Sequence, residues 1–180
     1  MSRVVLSIGS NVGDRMARLQ SVVDGIEARI GAGVVAVSPI YETEAWGGVD
    51  QGSFLNAVLI AEDPDLDCHG WLRFGQELER AADRVREQRW GPRTLDVDIV
   101  TCHDAAGEIR CESADLTLPH PYAHLRAFVL VPWIAVDPTA TLTVGETTRT
   151  VALWLEELDP VERSGVALTG LALRADAVMD

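Results

Sequence analysis

Over its first hundred residues the chain alternates apolar runs with amphipathic stretches in the order strand, helix, strand, strand, helix, strand, and no other feature restricts the fold as strongly. Val4 to Ile8 is a short apolar run ending at GSNVGD, residues 9–14. Met16, Leu19, Val22, Val23, Ile26 and Ile30 then recur at helical spacing until Gly31 and Gly33 stop the helix. Val34 to Tyr41 reads as β-rich and Phe54 to Ala61 as the next strand, after which Pro64 and Asp65 open a second helix to about Asp83. Leu95 to Cys102 closes the set, with a turn at 103–108 toward a partner strand around Ile109 to Cys111. This order is the split βαβ arrangement, a mainly antiparallel sheet with both helices on one face, which leaves the other face open for a site. Downstream we expect a helix from His124 to about Ala135 with Pro132 at a kink or boundary, and a short helix from Val151 to Leu158. The remainder from Asp159 is weakly patterned, and its end, 175–180, is expected to be mobile.

Composition excludes several classes. A chain of 180 residues that is 47% apolar and 24% charged can bury the core of one domain, so disorder is not expected. The longest apolar run, Ala127 to Val136, contains Pro132 and falls far short of the roughly 20 residues of a membrane helix. MSRVVLSIGSN carries no signal-peptide cleavage pattern, and we expect mature protein in the cytoplasm. With 28 acidic residues against 15 basic ones, the net charge of −13 repels polyanions, so nucleic acid is not an expected partner. All the basic residues are arginine. The lack of lysine removes P-loop phosphate binding and Schiff-base chemistry. Cys68, Cys102 and Cys111 show no CxxC spacing and read as reduced thiols.

The segment that carries chemistry runs from Arg84 to Val100. Asp96 and Asp98 lie two apart on an expected strand, so both carboxylates leave one face while Val97 and Ile99 take the opposite, core face. Their Cα atoms should lie roughly 6 to 7 Å apart, close enough for both carboxylates to converge on hard cations that also hold phosphate oxygens. An isolated DxD pair more often marks ordinary polar positions on a half-solvated strand. Beside it, however, Arg84, Arg86, Arg89 and Arg93 are offset only by Glu87, in a chain that is otherwise strongly negative. Guanidinium forks bind phosphate oxygens, and next to a carboxylate pair they supply both halves of a site for metal-bound polyphosphate. The arginines taken alone also fit a solvated loop paired with Glu79 and Asp83. Trp90 suits either core packing or a nucleobase, and His120 either a loop hydrogen bond or a phosphate contact. GSNVGD lacks the GK[ST] of a phosphate loop. Gly9, Asn11 and Gly13 are read as permitting a tight turn, with Asp14 capping the following helix.

Together, LSIGSNVGDR at 6–15, YETEAWGGVDQGSFLNAV at 41–58, RWGPRTLDVDIV at 89–100 and LTLPHPYAHLRAFVLVP at 116–132 resemble the 6-hydroxymethyl-7,8-dihydropterin pyrophosphokinases of folate biosynthesis, in order and spacing. The likeness covers residues 1–158, taken as one domain, with 159–180 a partly ordered C-terminal extension. It implies an α+β fold, a ferredoxin-like α/β/α sandwich with a mainly antiparallel sheet, that moves pyrophosphate from ATP to the pterin hydroxymethyl group and releases AMP. By the same resemblance Asp96 and Asp98 hold two magnesium ions, and Arg84, Arg86 and Arg93 clamp the triphosphate. Thr43, Ala45, Trp46, Phe54, Asn56 and Phe128 meet the pterin, with the two phenylalanines on its faces. Gln76, Trp90, Arg93, Ile99, Thr117, His120 and Arg126 line the nucleotide, and Glu79, or Glu77 in its place, holds the arginine loop. The implied state is a monomer whose partners are its two small-molecule substrates. Two other classes stay in view: a catalytically silent ferredoxin-like module that reads RNA on its sheet, and a kinase that moves the γ-phosphate and releases ADP. The 6% aromatic content and the acidic surface oppose the first, and product identity separates the second.

Overall fold

Along Ser2–Ser10 the side chains of Val4, Leu6 and Ile8 bury themselves on one face of a strand and Val5 on the other, and the sheet grows outward from this strand, β1. The computed structural model describes residues 1–44, 52–82 and 94–176. β1 is followed by helix α1 (Arg15–Glu27), where Asp14 accepts a hydrogen bond from the Ala17 N–H at 3.0 Å, as a capping residue should. Strands β2 (Gly33–Val37), β3 (Tyr41–Thr43) and β4 (Phe54–Asp63) come next, then α2 (Cys68–Ala81) and β5 (Asp96–Asp104). α2 starts later than its sequence suggests. The buried Asp63 carboxylate takes the N–H groups of Asp65 and Leu66 (2.7 and 2.9 Å) into a turn, and Asp67 caps the helix through the Gly70 N–H.

The chain continues through β6 (Gly107–Glu108), β7 (Cys111–Glu112), β8 (Thr117–Leu118), a 3₁₀ turn at Ala123–Leu125 and α3 (Ala127–Val136). The strand that pairs with β5 is thus β6, two residues earlier than expected, and Cys111 pairs instead with Leu118 in a separate small ladder. Pro132 sits inside α3 and not at its boundary. Then follow the hairpin β9 (Thr141–Val144) and β10 (Thr147–Thr150), α4 (Val151–Glu156), α5 (Pro160–Ser164) and β11 (Ala167–Leu168).

The main sheet runs β11-β3-β4-β1-β5-β6, with β2 also on β4, and the pairs are antiparallel. Leu19, Val22, Val23 and Ile26 of α1 and Trp71 of α2 fill one face together with Leu6, Ile8, Leu55 and Leu59. The opposite face is roofed over part of its length. Val5, Val58, Ile60 and Val100 are roofed by Val129, Leu130 and Trp133 of α3, Leu142 of the hairpin, and Val151 and Trp154 of α4. Each such large side chain contributes roughly 1.5 to 3 kcal/mol by leaving water, which is enough to make the second layer a true core and the architecture an α+β, three-layer α/β/α sandwich. No helix among the described residues is long and apolar enough to cross a membrane. The segment after Asp159 packs back on the sheet: β11 pairs with β3, and Thr169 donates to the Ile40 carbonyl through N (3.0 Å) and Oγ1 (2.8 Å).

Candidate active site

The roof of the second face reaches only part of the way along the strands. Strand alternation carries the same face onward from Val58 to Asn56 and Phe54 on β4, from Val5 to Ser7 and Gly9 on β1, and from Val100 to Asp98 and Asp96 on β5. The register then lines these residues up across four strands. One row reads Tyr41, Asn56, Gly9, Asp96, and the next reads Val58, Ser7, Asp98. Asn56 and Asp96 are therefore two strand spacings apart, roughly 10 Å, with Gly9 as the floor between them.

Gly9 is not a turn residue, contrary to the sequence reading. It lies within β1, and a Cβ built there would come 3.0 Å from Asn56 Oδ1 and 3.4 Å from the Phe54 ring. The turn is made further on, by Gly13 at φ +71°. At the β3 end, Asn56 is buried and its Nδ2 donates to Thr43 Oγ1 at 2.8 Å, while Thr43 pairs with Phe54. An amide, a hydroxyl and an aromatic ring thus share one corner.

At the β5 end, Asp98 Oδ2 receives Arg126 Nη1 at 3.3 Å. Arg126 immediately precedes α3, is 7% exposed, and stacks its guanidinium over the rings of Tyr122 (5.8 Å) and Phe128 (5.7 Å), which places Phe128 beside the same cluster. His120 is held by its own N–H on the Val100 carbonyl (2.8 Å), and its Nδ1 accepts the Tyr122 N–H at 3.1 Å. Its pKa is pushed down to about 4, first by burial and then by the Arg126 charge, with Asp96 pulling the other way. The ring is therefore neutral at ordinary pH with its proton on Nε2. That atom stands 3.9 Å from Asp98 Oδ2, too far for a hydrogen bond.

α2 supports this end from beneath. Gly75 lets the helix approach β5, since a Cβ there would stand 3.2 Å from Val97 Cγ1. One turn on, the buried Glu79 accepts the Val97 N–H at 3.0 Å, between the two aspartates, whereas Glu77 is exposed. Gln76 is half-buried on the same helix, Thr117 is exposed on β8, and the Ile99 side chain is 5% exposed in the α1/α2 core, so only its backbone is turned elsewhere. Ala45, Trp46, Arg84, Arg86, Trp90 and Arg93 lie outside the described residues. Sequence reasoning missed Gly9 as a floor and Ser7 beside it, because only the pairing register shows what stands opposite them.

A family model described as 7,8-dihydro-6-hydroxymethylpterin-pyrophosphokinase (HPPK) matches residues 5–138. The chain belongs to the HPPK family. It is 59% identical over 173 residues to the 2-amino-4-hydroxy-6-hydroxymethyldihydropteridine pyrophosphokinase of Mycobacterium tuberculosis (strain ATCC 25618 / H37Rv), covering 93% of this chain and 90% of the relative. The enzyme of that name from Methylorubrum extorquens is 42% identical over 160 residues, 89% of this chain and 96% of the relative. In fold, the chain superimposes on a Plasmodium falciparum HPPK-DHPS crystal structure containing pterin with a TM-score of 0.63 at 12% identity, covering 92% of this chain and 47% of that one. The chain thus spans under half of the Plasmodium polypeptide. The HPPK match ends before β9, so the hairpin, α4, α5 and β11 lie beyond it.

Proposed function

We infer that the chain transfers the pyrophosphoryl group of ATP to the hydroxymethyl oxygen of 6-hydroxymethyl-7,8-dihydropterin, releasing AMP, in folate biosynthesis. The observation that supports this most is the single register row in which a buried amide and a carboxylate face each other across a glycine floor. A flat heterocycle lies between Phe54 and Phe128, with its polar edge on Asn56 and Thr43, and this directs the hydroxymethyl arm along the floor toward β5. Ala45 and Trp46 join this pterin wall as part of the proposal.

The chemistry of Asp96 and Asp98 suits magnesium. Two hard carboxylates from one strand face leave coordination positions for phosphate oxygens and water. Two magnesium ions held there would neutralise the polyphosphate and make its β-phosphorus more electrophilic. The protein groups do the positioning. Arg126, fixed by stacking and by Asp98, presents a buried cation to the phosphates, and neutral His120 offers the Nε2 proton to a phosphate oxygen without adding charge. Arg84, Arg86 and Arg93 clamp the triphosphate from 83–93, and Gln76, Trp90, Ile99 and Thr117 line the nucleoside. When the hydroxymethyl oxygen attacks the β-phosphorus, the bond from the α,β-bridging oxygen to that phosphorus breaks, AMP departs with that oxygen, and the hydroxyl proton passes to solvent. Charge accumulating on the transferred group then meets cations that are already in place. We assign the enzyme to the cytoplasm, in keeping with its three free cysteines, and take it to act as a monomer.

The test is product identity. Incubation with ATP, magnesium and hydroxymethyldihydropterin should yield AMP and the pterin diphosphate by chromatography; ADP, or no turnover, overturns the reading. Asp96→Ala and Asp98→Ala should each lower kcat by about a thousandfold or more while pterin affinity changes little.

A further inference from the structure

Arg15 is not among the groups assigned to chemistry, yet three hydrogen bonds tie it to the segments that carry the proposed pterin wall. From the first position of α1 its Nη1 donates to Glu42 Oε2 (3.1 Å), to the Ser53 carbonyl (3.1 Å) and to Ser53 Oγ (3.2 Å). Glu42 directly precedes Thr43, and Ser53 directly precedes Phe54. Thr43 and Phe54 form the terminal pair of the β3–β4 ladder. On its other edge β3 pairs with β11 at Tyr41 and Glu42, and among the described residues no strand pairs with Thr43 on that side. A ladder end frays unless something outside it ties the two strands together. Asn11, one turn upstream, adds a bond from Nδ2 to the Gly52 carbonyl at 3.1 Å.

The magnitudes favour a local role. The Arg15 and Glu42 side chains are 32% and 44% exposed, so the ion pair is largely screened by water and adds little to global stability. Its worth lies in holding two backbone segments at fixed separation, which is what an aromatic face and a hydroxyl must have to receive one ring.

We propose that Arg15 is a positioning residue for the pterin side of the site: by bridging Glu42 and Ser53 it fixes the Thr43–Phe54 pair, and with it the hydroxyl that Asn56 engages. This rests on the functional reading above. Arg3 supplies an internal control, since it forms the same kind of ion pair with Glu62 (3.0 Å) near the opposite end of β4.

Steady-state kinetics and pterin fluorescence titration, the latter with magnesium and a non-hydrolysable ATP analogue, test it on the full chain. Arg15→Ala should raise the KM and Kd for the pterin by roughly five- to tenfold, while the KM for ATP and kcat stay within about twofold. The Tm should move by no more than about 2 °C. Arg15→Lys, whose ammonium can still donate to both Glu42 and Ser53, should keep most of the affinity lost in Arg15→Ala, and Arg3→Ala should match wild type. Unchanged pterin KM and Kd in Arg15→Ala, an equal change in Arg3→Ala, or a parallel loss of kcat, ATP affinity and Tm would each overturn the proposal. Wild-type protein that binds no pterin and releases no AMP removes the functional reading and this inference together. Wild-type activity with an indifferent Arg15→Ala removes this inference alone.

Discussion

One methyl group at position 9 would occupy space that the site needs. Asn56 Oδ1 stands 3.0 Å and the Phe54 ring 3.4 Å from where that carbon would lie, and Asn56 is fixed by its bond to Thr43. Gly9→Ala must therefore displace either the amide or the ring, an overpacking cost of about 1 to 3 kcal/mol that falls on the wall proposed to hold the pterin. We expect the KM for the pterin to rise by about tenfold or more with the KM for ATP nearly unchanged, read from initial rates with each substrate varied in turn. At this scale the sequence shows what depends on local periodicity and hides what depends on pairing. Asp96 and Asp98 could be placed on one face because a strand repeats every two residues. Gly9 was legible only as a flexible residue before a helix, since nothing local tells that Asn56, 47 positions away, lies opposite it. Arg126 likewise meets Asp98 across 28 residues, through a layer of helix that no short window contains.

The elements that frame the site depend on a few buried polar junctions, of which Asp63 is the most consequential. It is 1% exposed at the end of β4, receives Arg29 Nε at 2.6 Å, and binds the N–H groups that redirect the chain into α2. Burial alone would raise its pKa, but the Arg29 bond and the two backbone N–H groups outweigh it, and the carboxyl is held below its ordinary value of 3.8. A carboxyl with a depressed folded pKa adds stability above its unfolded pKa, and that stability is lost as the pH falls through the folded value. Asp63→Asn should then cost about 2 to 4 kcal/mol at pH 7 by urea unfolding, and the gap from wild type should shrink as both are taken below pH ~4. A gap that stayed constant to pH ~2 would count against the assignment. The same carboxylate explains why α2 begins at Cys68 and not at Pro64: side-chain capture of backbone donors competes with helix formation in a way that periodicity does not register. The hairpin β9–β10 was missed for a different reason, because its strands are short, threonine-rich and bounded by a turn that needs only Gly145 at positive φ.

At the scale of the whole molecule, the two walls proposed to hold the pterin are joined by a part of the chain that the family match does not include. Residues after Asp159 reach α3 through Glu162, whose Oε1 accepts the Ala127 N–H (3.4 Å) beside Arg126 and Phe128. They then pair with β3 at Ala167 and Leu168, and finish on α1 through Arg174 and Gln20 (2.9 and 2.7 Å) and Asp176 and Glu27 (2.7 Å). Much of this strap is exposed, Val161 at 78% and Leu168 at 66%, and its apolar anchors on the core are the partly buried Leu173 and Ala175, so hydrophobic burial gives it a modest share of global stability. Its hydrogen bonds reach β3 through the β11 ladder, α3 through the Glu162 carboxylate and α1 through Arg174 and Asp176, and β3 and α3 are the elements that carry Thr43 and Phe128. Removal of 166–180 should therefore lower the unfolding free energy only by about 1 to 3 kcal/mol, while amide exchange of β3 rises out of proportion to that of β1 and β5. The pterin KM should rise with it and the ATP KM should not. If β3 stayed as protected as β1 after truncation, the strap would be a passenger on the sheet edge, and the geometry of the pterin corner would have to be set by β4 and Arg15 alone.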